Sequence, residues 1–458
     1  MTTGRPATML ALGALLASAF LVTSAAAQSA ASSPAAPATK QSRARIVRLS
    51  DVEGPVQIER AAGEGLEKGF LNMPVIEGSR LKTGEQGRAE IEFEDGSTVR
   101  IGGNTELAFT HLALGSEGEK LNTAQLVSGT LYANVRAKKG DQFELNLAGE
   151  SVTVPQTAHF RVVMDGSKGA NLAVFKGSVN AFGPSGRFEI AEKHHAAIDL
   201  AATDATQKDT FVIAKNYDQE ELDGWDRQQD TYHERYASAA NGGASGFSSP
   251  YGYGVSDLSY YGAFNTIPGY GYAWQPFFMD AAWNPFMDGA WAYYPGAGYM
   301  WVSAYPWGWM PYYYGSWGFA PGYGWLWQPG GWNNFSGIPR VAGAPAGMKV
   351  PAVPASGHQT LMVGRGLMAI DTAMPGKLTI KPGSAGFGVP RGAVKHLDRS
   401  ARTMEHNPRP VTVSTARPPQ AENPGFGDRR SAREQPMGPI AGPSTSRRGT
   451  ATKSSPHK

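Results

Sequence analysis

The sequence of 458 residues contains no cysteine, which excludes disulfide bonds, thiolate nucleophiles and thiolate metal sites. Charged residues make up 18% of the chain, and the formal net charge of +3 is too small to indicate a partner of opposite charge. The sequence also lacks a nucleophile elbow, a phosphate-binding loop and an HExxH zinc motif. These absences predict a protein without catalytic residues, metal or cofactor, whose folded parts are stable through core packing alone.

The first 27 residues have the composition of a secretory signal. Arg5 provides a positive charge, residues 9–22 are small and apolar, and residues 25–27 offer small side chains for cleavage before Gln28. We therefore expect export to the periplasm, the cell surface or the medium. The alternative is an uncleaved inner-membrane anchor, because the apolar stretch nearly reaches the roughly 20 residues that a bilayer requires.

Residues 45–214 show the pattern of short strands. RAEIEFE (residues 88–94) alternates apolar residues with glutamates, and an Asp-Gly hairpin signal comes directly after it. The same alternation recurs at residues 143–147 and 160–164. Short strands separated by glycine turns predict a sandwich, roll or barrel.

The clearest helical pattern comes next and predicts a helix over residues 219–237. Asp218 and Glu221 can form its capping box. We expect this helix to tether the β domain to the aromatic part of the chain, with four large side chains on or near one face: Leu222, Trp225, Tyr232 and Tyr236.

Ten of the 11 tryptophans lie within residues 274–332, among glycine, proline and tyrosine. This stretch belongs to an internal repeat. YYGAFNTIPGYGYAWQP (260–276) returns as YYGSWGFAPGYGWLWQP (313–329), with a looser copy, GAWAYYPGAGYMWVS, at residues 289–303. A fixed period of this size indicates stacked copies of one supersecondary unit, so we expect three related β units.

The aromatic rings of the repeat have two interpretations. Exposed rings would form a carbohydrate platform, because a flat ring covers sugar C–H groups. The candidate ligand-binding residues are then Trp274, Trp301, Trp325 and Trp327. The alternative, which we favour for most rings, is the core of a unit with few aliphatic residues. Because strand alternation places Leu326 opposite its neighbouring tryptophans, we expect either the leucine or the tryptophans to be buried.

Four motifs run through residues 45–214: VIEGSRLKTGEQGRAEIEFEDGSTVRI (75–101), LVSGTLYANV (126–135), VPQTAHFRV (154–162) and VFKGSVNAF (174–182). Together they resemble the FecR domain of bacterial envelope proteins. The third motif departs from the family, which commonly has Gly-Thr where this chain has Thr157-Ala158. The resemblance implies a FecR-like β-sandwich or roll, since the motif residues are mostly turn glycines and core apolar residues.

Further motifs lie in residues 217–331: DGWDRQQD (223–230), DLSYYG (257–262) and YPWGWMPYYYGSW (305–317). They resemble an uncharacterised Trp/Tyr/Gly-rich region often found behind FecR-like domains in exported bacterial proteins, and they imply no activity. The FecR resemblance implies a signal relay to a cytoplasmic sigma factor, which requires a cytoplasmic segment before a membrane helix. Because only about eight residues precede the apolar run here, we expect the fold, rather than that role, to carry over.

Two polar clusters are candidate chemical sites. His194 and His195 are adjacent, so they point to opposite strand faces and suit a solvated strand end better than one metal ion. The second cluster is an acidic run that could supply a hydrolase pair. We expect it instead to be the solvated face of one strand: Glu90, Glu92, Glu94 and Asp95.

The predicted fold is mainly β. Its segments are a signal peptide (1–27), a disordered linker (28–44), a FecR-like β domain (45–214), a linking helix (215–240), an aromatic β-repeat module (241–340), a Pro/Gly-rich segment with short strands (341–390) and a disordered basic tail (391–458).

We expect a non-enzymatic envelope protein that binds or scaffolds a cell-wall or surface glycan, or an envelope protein. The alternative is a membrane-anchored FecR-type signalling regulator, and a hydrolase is a third, remote class. The chain from residue 395 onward has 12 Lys or Arg against 5 Asp or Glu. Because export argues against nucleic acid, this tail is expected to be a solvating segment or to contact anionic envelope polymers weakly.

Overall fold

The computed structural model describes residues 45–415, with gaps at 167, 184–185, 202–210, 242–251, 333–337, 339, 356 and 368–375. The predicted signal peptide, the linker 28–44 and the chain after residue 415 lie outside the described residues. All described residues belong to one compact unit. Within these described ranges, no helix is long and apolar enough to cross a bilayer.

The first part of the chain forms one continuous hydrogen-bonded network of 16 strands, which confirms the prediction of a mainly β fold. The strands are β1 Val47–Glu53, β2 Val56–Glu59, β3 Glu67–Lys68, β4 Pro74–Val75, β5 Arg80–Thr83, β6 Arg88–Glu92, β7 Thr98–Ile101, β8 Glu106–Leu114, β9 Lys120–Arg136, β10 Gln142–Leu147, β11 Glu150–Thr153, β12 Thr157–Asp165, β13 Gly169–Gly183, β14 Gly186–Ala191, β15 His194–Asp199 and β16 Phe211–Lys215.

Two long strands pass from one sheet of this network into the other. The first half of β9 pairs with β8 and β10, and its second half pairs with β7 and β12. Similarly, β13 pairs with β12 and β15 at its start and with β11 and β14 at its end. The changes of partner fall at Gly129 and Gly177, whose φ angles are +94° and +77°. A Cβ at Gly177 would lie 2.2 Å from the carbonyl oxygen of Thr157, so only glycine fits this bend.

Strands β6 and β7 form the hairpin that the alternation predicted. Ala89, Ile91 and Phe93 are buried in the core. The turn begins at once, with the N–H of Gly96 donating to the carbonyl of Phe93 at 3.0 Å. The local pattern therefore predicted both the strand and its turn.

Helix α1 spans Asp223–Asn241, four residues later at each end than predicted. Its start is explained by Asp223, whose Oδ2 accepts the backbone N–H of Glu220 at 3.1 Å. This is the reach-back bond of a capping box, formed two positions later than the sequence suggested. The predicted apolar face is confirmed for the buried Trp225 and Tyr232.

Three hairpins come after α2, and they confirm the three predicted β units. At each tip, a Pro-Gly pair occupies the centre of a turn closed by a hydrogen bond of 3.0–3.1 Å, as type II turns require. The elements are α2 Val255–Tyr261, β17 Gly262–Ile267, β18 Gly271–Pro276, β19 Gly289–Tyr294, β20 Gly298–Ser303, α3 Met310–Tyr313, β21 Tyr314–Ala320 and β22 Gly324–Trp332.

The repeat predicted stacked copies of one unit, but the three hairpins do not follow one another in a single sheet. The first and third hairpins join in one sheet through β18 and β22, while the second hairpin belongs to a separate sheet. The first and third copies are also the two most similar in sequence. Because their sequences match, the first and third hairpins can pair through equivalent strands about a local twofold axis.

The last described part of the chain packs against the rest. Its elements are β23 Arg340–Ala342, β24 Leu361–Val363, β25 Lys377–Ile380, α4 Leu397–His406 and β26 Val411–Ser414. Strands β24 and β25 agree with the short strands predicted within residues 341–390. The prediction of a disordered tail from residue 391 is wrong for residues 391–415. There the i, i+4, i+7 spacing gives α4 a buried face of Leu397, Ala401 and Met404.

Candidate functional site

The four tryptophans predicted to bind ligand are buried. Trp274, Trp301 and Trp327 are 0% exposed, and Trp325 is 3% exposed. The indole N–H of Trp274 donates to the Leu258 carbonyl at 2.9 Å, and that of Trp327 donates to a backbone carbonyl at 2.8 Å. The prediction of exposed carbohydrate platforms is therefore wrong, and the interpretation of these rings as core is confirmed.

Both faces of the sheet of the first and third hairpins carry buried side chains. Trp325 and Trp327 belong to the main core on one face. Leu326, 1% exposed, belongs to a second cluster on the other face, with Ile267, Ala273 and Ala320. We expected that burial of the leucine would exclude burial of the tryptophans, and this expectation is wrong. Both are buried, because each face of the sheet contributes to its own cluster, which alternation along one strand cannot show.

The acidic run on β6 is also buried, contrary to the expected solvated face. Glu90, Glu92 and Glu94 are 0%, 2% and 8% exposed, and Asp95 is half-exposed in the turn. Helix α1, the start of α2 and the chain near residue 391 cover this strand from distant parts of the sequence. Long-range cover of this kind leaves no trace in the alternation of the strand itself.

Arginines pair with the buried glutamates. Arg100 Nε lies 2.8 Å from Glu90 Oε2, and Arg48 Nη1 lies 3.2 Å from Glu92 Oε2. Arg391, more than 290 positions further along the chain, brings Nη1 to 2.6 Å from Glu90 Oε1. These carboxylates are therefore components of an ionic core and not of an open catalytic cleft.

The same ionic core joins the 16-stranded network to the aromatic hairpins. Asp257 of α2 forms ion pairs with two arginines: its Oδ2 lies 2.5 Å from Arg48 Nη2, and its Oδ1 lies 3.2 Å from Arg391 Nε. Asn72 Nδ2 donates to the carbonyls of Ser303 and Tyr305 at 3.0 and 2.7 Å. Side chains from both parts thus complete each other's hydrogen bonding in a buried interface.

Burial and charge act against each other on the pKa values of this core. Burial would raise the pKa of Glu90, but the charges of His233, Arg391 and Arg100 outweigh it and hold that pKa well below its ordinary value. Burial dominates at Asp51, where it and the charge of Glu53 raise the pKa to about 7. The core therefore contains one strongly acidic carboxyl and one that is half-protonated near neutrality.

One His and two Asp side chains form a second cluster beside α1. His159 Nε2 lies 2.8 Å from Asp226 Oδ2, and its Nδ1 lies 3.5 Å from Asp230 Oδ2. Their possible ligand atoms all lie within 4.8 Å of one another. Arg100, however, lies 2.6 and 2.8 Å from the same two carboxylates. Arg100 already pairs with both carboxylates, so this geometry is that of an ion-pair cluster.

The predicted histidine pair lies at the start of β15. His194 and His195 are both half-buried, and each ring Nδ1 bonds a backbone carbonyl, of Glu192 and of Asn216 respectively. The two rings therefore have different partners, as expected for neighbours on opposite strand faces.

An open cleft with two adjoining lobes lies beside the aromatic hairpins. The lobes have volumes of about 310 and 420 Å³ and share Arg365, Pro382 and Gly383. The first lobe is also lined by Thr379, Lys381, Ser384 and Phe387. The second lobe is also lined by Asp280, Trp283, Met287 and Asp288.

Asp288, which is 2% exposed and lines the second lobe, fixes the arginine that the two lobes share. Its carboxylate accepts Arg365 Nε at 3.0 Å and Nη2 at 2.5 Å, and it accepts the Tyr305 hydroxyl at 3.0 Å. Burial would raise the pKa of Asp288, but the hydrogen bonds from Arg365 outweigh it and lower that pKa. Arg365 is thus fixed in place while half of its side chain stays accessible.

Two sequence families match parts of this architecture. The FecR protein family matches residues 79–180, and the family of unknown function DUF6600 matches residues 255–347. The chain carries a FecR domain followed by a DUF6600 region. The sequence matches no curated protein.

Among solved structures, this chain is similar to two crystal structures of a candidate anti-sigma factor from Parabacteroides distasonis ATCC 8503. The structure at 1.65 Å shares 15% identity over 32% of this chain and 63% of that chain, with a TM-score of 0.26. The structure at 2.50 Å shares 13% identity over 34% of this chain and 71% of that chain, with a TM-score of 0.27. This chain thus spans just under two thirds of the first of them.

The 16-stranded network extends beyond the residues that match the FecR family. Strands β1–β4 precede the match and β14–β16 come after it, and all are hydrogen-bonded into the same network. The DUF6600 match begins at the first residue of α2 and includes all three hairpins. Helix α1 lies between the two matches in sequence, and its acidic face packs on the FecR sheet through Arg100 and Arg161.

The sequence patterns did not reveal the arginines that organise these sites. Arg48 and Arg100 lie on strands where a period-2 reading treats charged residues as solvated. They are 0% and 1% exposed. Arg391 and Arg365 lie in glycine-rich stretches with no periodic pattern. The one available signal was the density of glutamates on β6, which implies cationic partners if the strand is buried on both faces.

Proposed function

We propose that this chain is a non-enzymatic protein of the bacterial cell envelope, in which the FecR domain and the DUF6600 region act as one body that binds or scaffolds a glycan or protein. The observation that carries the proposal is the buried interface between the two parts. Arg48 and Arg391 each bond carboxylates of both parts, Glu92 or Glu90 on one side and Asp257 on the other.

A buried ion pair is stabilising only when its geometry is held, because desolvation of each charge is expensive. Several such pairs crossing one interface favour a fixed arrangement of the FecR domain and the DUF6600 region. A fixed body of this kind suits a protein that presents a surface to a ligand. It does not suit an enzyme that closes over a substrate.

The absence of an enzymatic role is supported by the state of the acidic groups. Within the described residues, the carboxylates of Glu90, Glu92 and Glu94 are bonded to arginine, and a general acid or base must instead face its substrate. Partners of the glycan or protein class are accessible in the envelope, whereas nucleic acid is not. The basic segment after residue 415 would add weak contact with anionic polymers.

Binding can be tested with the full chain after signal removal. Purified protein is mixed with isolated cell-wall sacculi and separately with outer-membrane vesicles, and each mixture is sedimented. We expect co-sedimentation with one of the two and no release of soluble fragments. Release of saccharide or peptide fragments would show an enzyme, and failure to sediment with either would refute envelope binding.

The FecR match also supports a second candidate, a membrane-anchored signalling regulator. Cell fractionation with N-terminal sequencing separates the two. Mature protein that begins at Gln28 in the periplasm or medium supports the binding protein. An intact N-terminus in the inner-membrane fraction would support the regulator.

A further inference from the structure

The two-lobed cleft of the DUF6600 side has opposite chemistry at its two ends. The first lobe carries the cations Arg365 and Lys381, together with the hydroxyl groups of Thr379 and Ser384. The second lobe carries the carboxylates of Asp280 and Asp288 beside the apolar Met287 and Trp283. Each lobe has a volume in the range of small-ligand sites.

The first lobe has groups that suit an anion. Arg365 uses two of its guanidinium nitrogens on Asp288, and its five N–H groups leave donors for a ligand. Lys381 is exposed at the end of β25. The Oγ of Ser384 is buried, in a side chain only 7% exposed, and it has no hydrogen-bond partner among the described residues. A buried hydroxyl in this position needs a partner, since leaving it unpaired is unfavourable.

The backbone brings these groups together by close approach. Gly383 has a φ of +70°, and a Cβ there would lie 2.3 Å from Asp280 Oδ2. Asp280 is itself oriented by the N–H groups of Ala282 and Trp283, at 3.0 and 2.9 Å. The turn that carries Lys381 and Ser384 therefore packs closely against the fixed carboxylate of Asp280 in the second lobe.

The second lobe has groups that suit a neutral, hydroxyl-rich neighbour. The exposed carboxylate of Asp280 is an acceptor when ionised, and sugar hydroxyls are donors that carry no charge. Met287, 39% exposed, offers an apolar contact beside this carboxylate. A second anionic group would be repelled here, whereas a saccharide ring would be bonded.

We propose that the cleft binds an acidic saccharide, with its anionic group in the first lobe on Arg365, Lys381 and Ser384 and its hydroxyls in the second lobe on Asp280. The proposal rests on the proposed function, because it names the ligand class and the site of a glycan-binding envelope protein. It also moves the saccharide site away from the buried tryptophans of the repeat.

The test uses the full mature chain and a defined probe with a single carboxylate, the disaccharide of glucuronic acid linked to xylose, with its methyl ester as the uncharged counterpart. Isothermal titration should show binding of the acid and about tenfold weaker binding of the ester, the usual size of one charge-assisted hydrogen bond. Lys381→Gln should weaken binding of the acid by a similar factor. The matched control is Lys377→Gln, at the other end of β25 and outside both lobes, which should bind as the wild type does.

Ser384→Ala keeps the test independent of folding. Its thermal stability should equal that of the wild type or exceed it, because the hydroxyl it removes has no partner among the described residues, while its affinity for the acid should fall. Equal affinity of the acid and the ester would overturn the inference. So would equal effects of Lys381→Gln and Lys377→Gln, or displacement of the acid by inorganic phosphate at the same concentration.

The two proposals can fail separately. If the protein sediments with sacculi and the Lys381→Gln variant sediments equally well, the cleft assignment fails and envelope binding stands. If the acid binds in a manner that depends on Lys381 but no envelope fraction is bound, the cleft assignment stands and the proposed function fails.

Discussion

Trp274 and Trp327 lie opposite each other on β18 and β22, and they are equivalent residues of the first and third repeats, 53 positions apart. Their neighbours repeat the relationship. Gln275 Nε2 donates to the Tyr323 carbonyl at 2.8 Å, and Gln328 Nε2 donates to the Tyr270 carbonyl at 2.6 Å. The two hairpins are therefore related by a local twofold axis that passes between the paired tryptophans.

Removing either tryptophan should destabilise the protein. Trp274→Ala and Trp327→Ala should each lower the free energy of unfolding by about 3–5 kcal/mol, because each empties a fully buried ring site. Urea titration followed by circular dichroism measures the loss. Tyr323→Ala, at an exposed hairpin tip, is the control and should change stability by less than about 0.5 kcal/mol. Wild-type stability in both tryptophan variants would contradict their place in the core.

Arg391 should be essential to the interface, although it lies near the end of the described chain. Arg391→Ala leaves Glu90 and Asp257 short of a buried cation, so we expect a loss of about 3–5 kcal/mol. Arg399→Ala, in exposed helical surface nearby, is the matched control. Truncation after residue 390 should destabilise at least as much, while truncation after residue 415 should not. A stable protein ending at residue 390 would refute the role of this segment.

Asp51 should make stability depend on pH. Burial, followed by the charge of Glu53, raises its pKa from 3.8 to about 7 in the folded protein. Between these values the folded protein holds a proton on Asp51 that the unfolded chain has lost. The contribution of Asp51 to the free energy of unfolding is therefore fully present below about pH 4 and is lost as the pH rises through 7. In urea titrations at pH 5 and pH 8, Asp51→Asn should lose less stability on going to pH 8 than the wild type. Parallel behaviour of the two proteins would contradict the raised pKa.

The bend at Gly177 should not accept a side chain. Gly177→Ala combines a positive φ with a contact of 2.2 Å between the new Cβ and the Thr157 carbonyl oxygen. It should therefore lower the free energy of unfolding by more than the left-handed conformation alone, which costs about 1–2 kcal/mol. Gly118→Ala separates the two effects, since Gly118 has a φ of +89° with open space around it. Thermal unfolding of both variants gives the comparison. Equal losses would show that the contact with Thr157 is unimportant.

The sequence predicted features that depend on neighbours along the chain. The β6–β7 hairpin, the Pro-Gly tips and the helix near residue 223 are all consequences of local spacing. The burial of Glu90 and Glu92 could not be predicted, because it depends on α1, α2 and Arg391, which are distant in sequence. The burial of Leu326 together with its neighbouring tryptophans could not be predicted for the same reason. The small cluster around Leu326 forms only when the first and third hairpins pair.

The central claim is that the FecR domain and the DUF6600 region form one body through their ionic interface. Ten of the 11 tryptophans lie in residues 274–332, so tryptophan fluorescence reports mainly the aromatic hairpins, while far-ultraviolet circular dichroism reports the strands of both parts. Both signals are followed through one guanidinium titration. A single coincident transition is predicted, because the parts should unfold together. Two separate transitions, with the fluorescence change complete before the loss of strand signal, would contradict the claim.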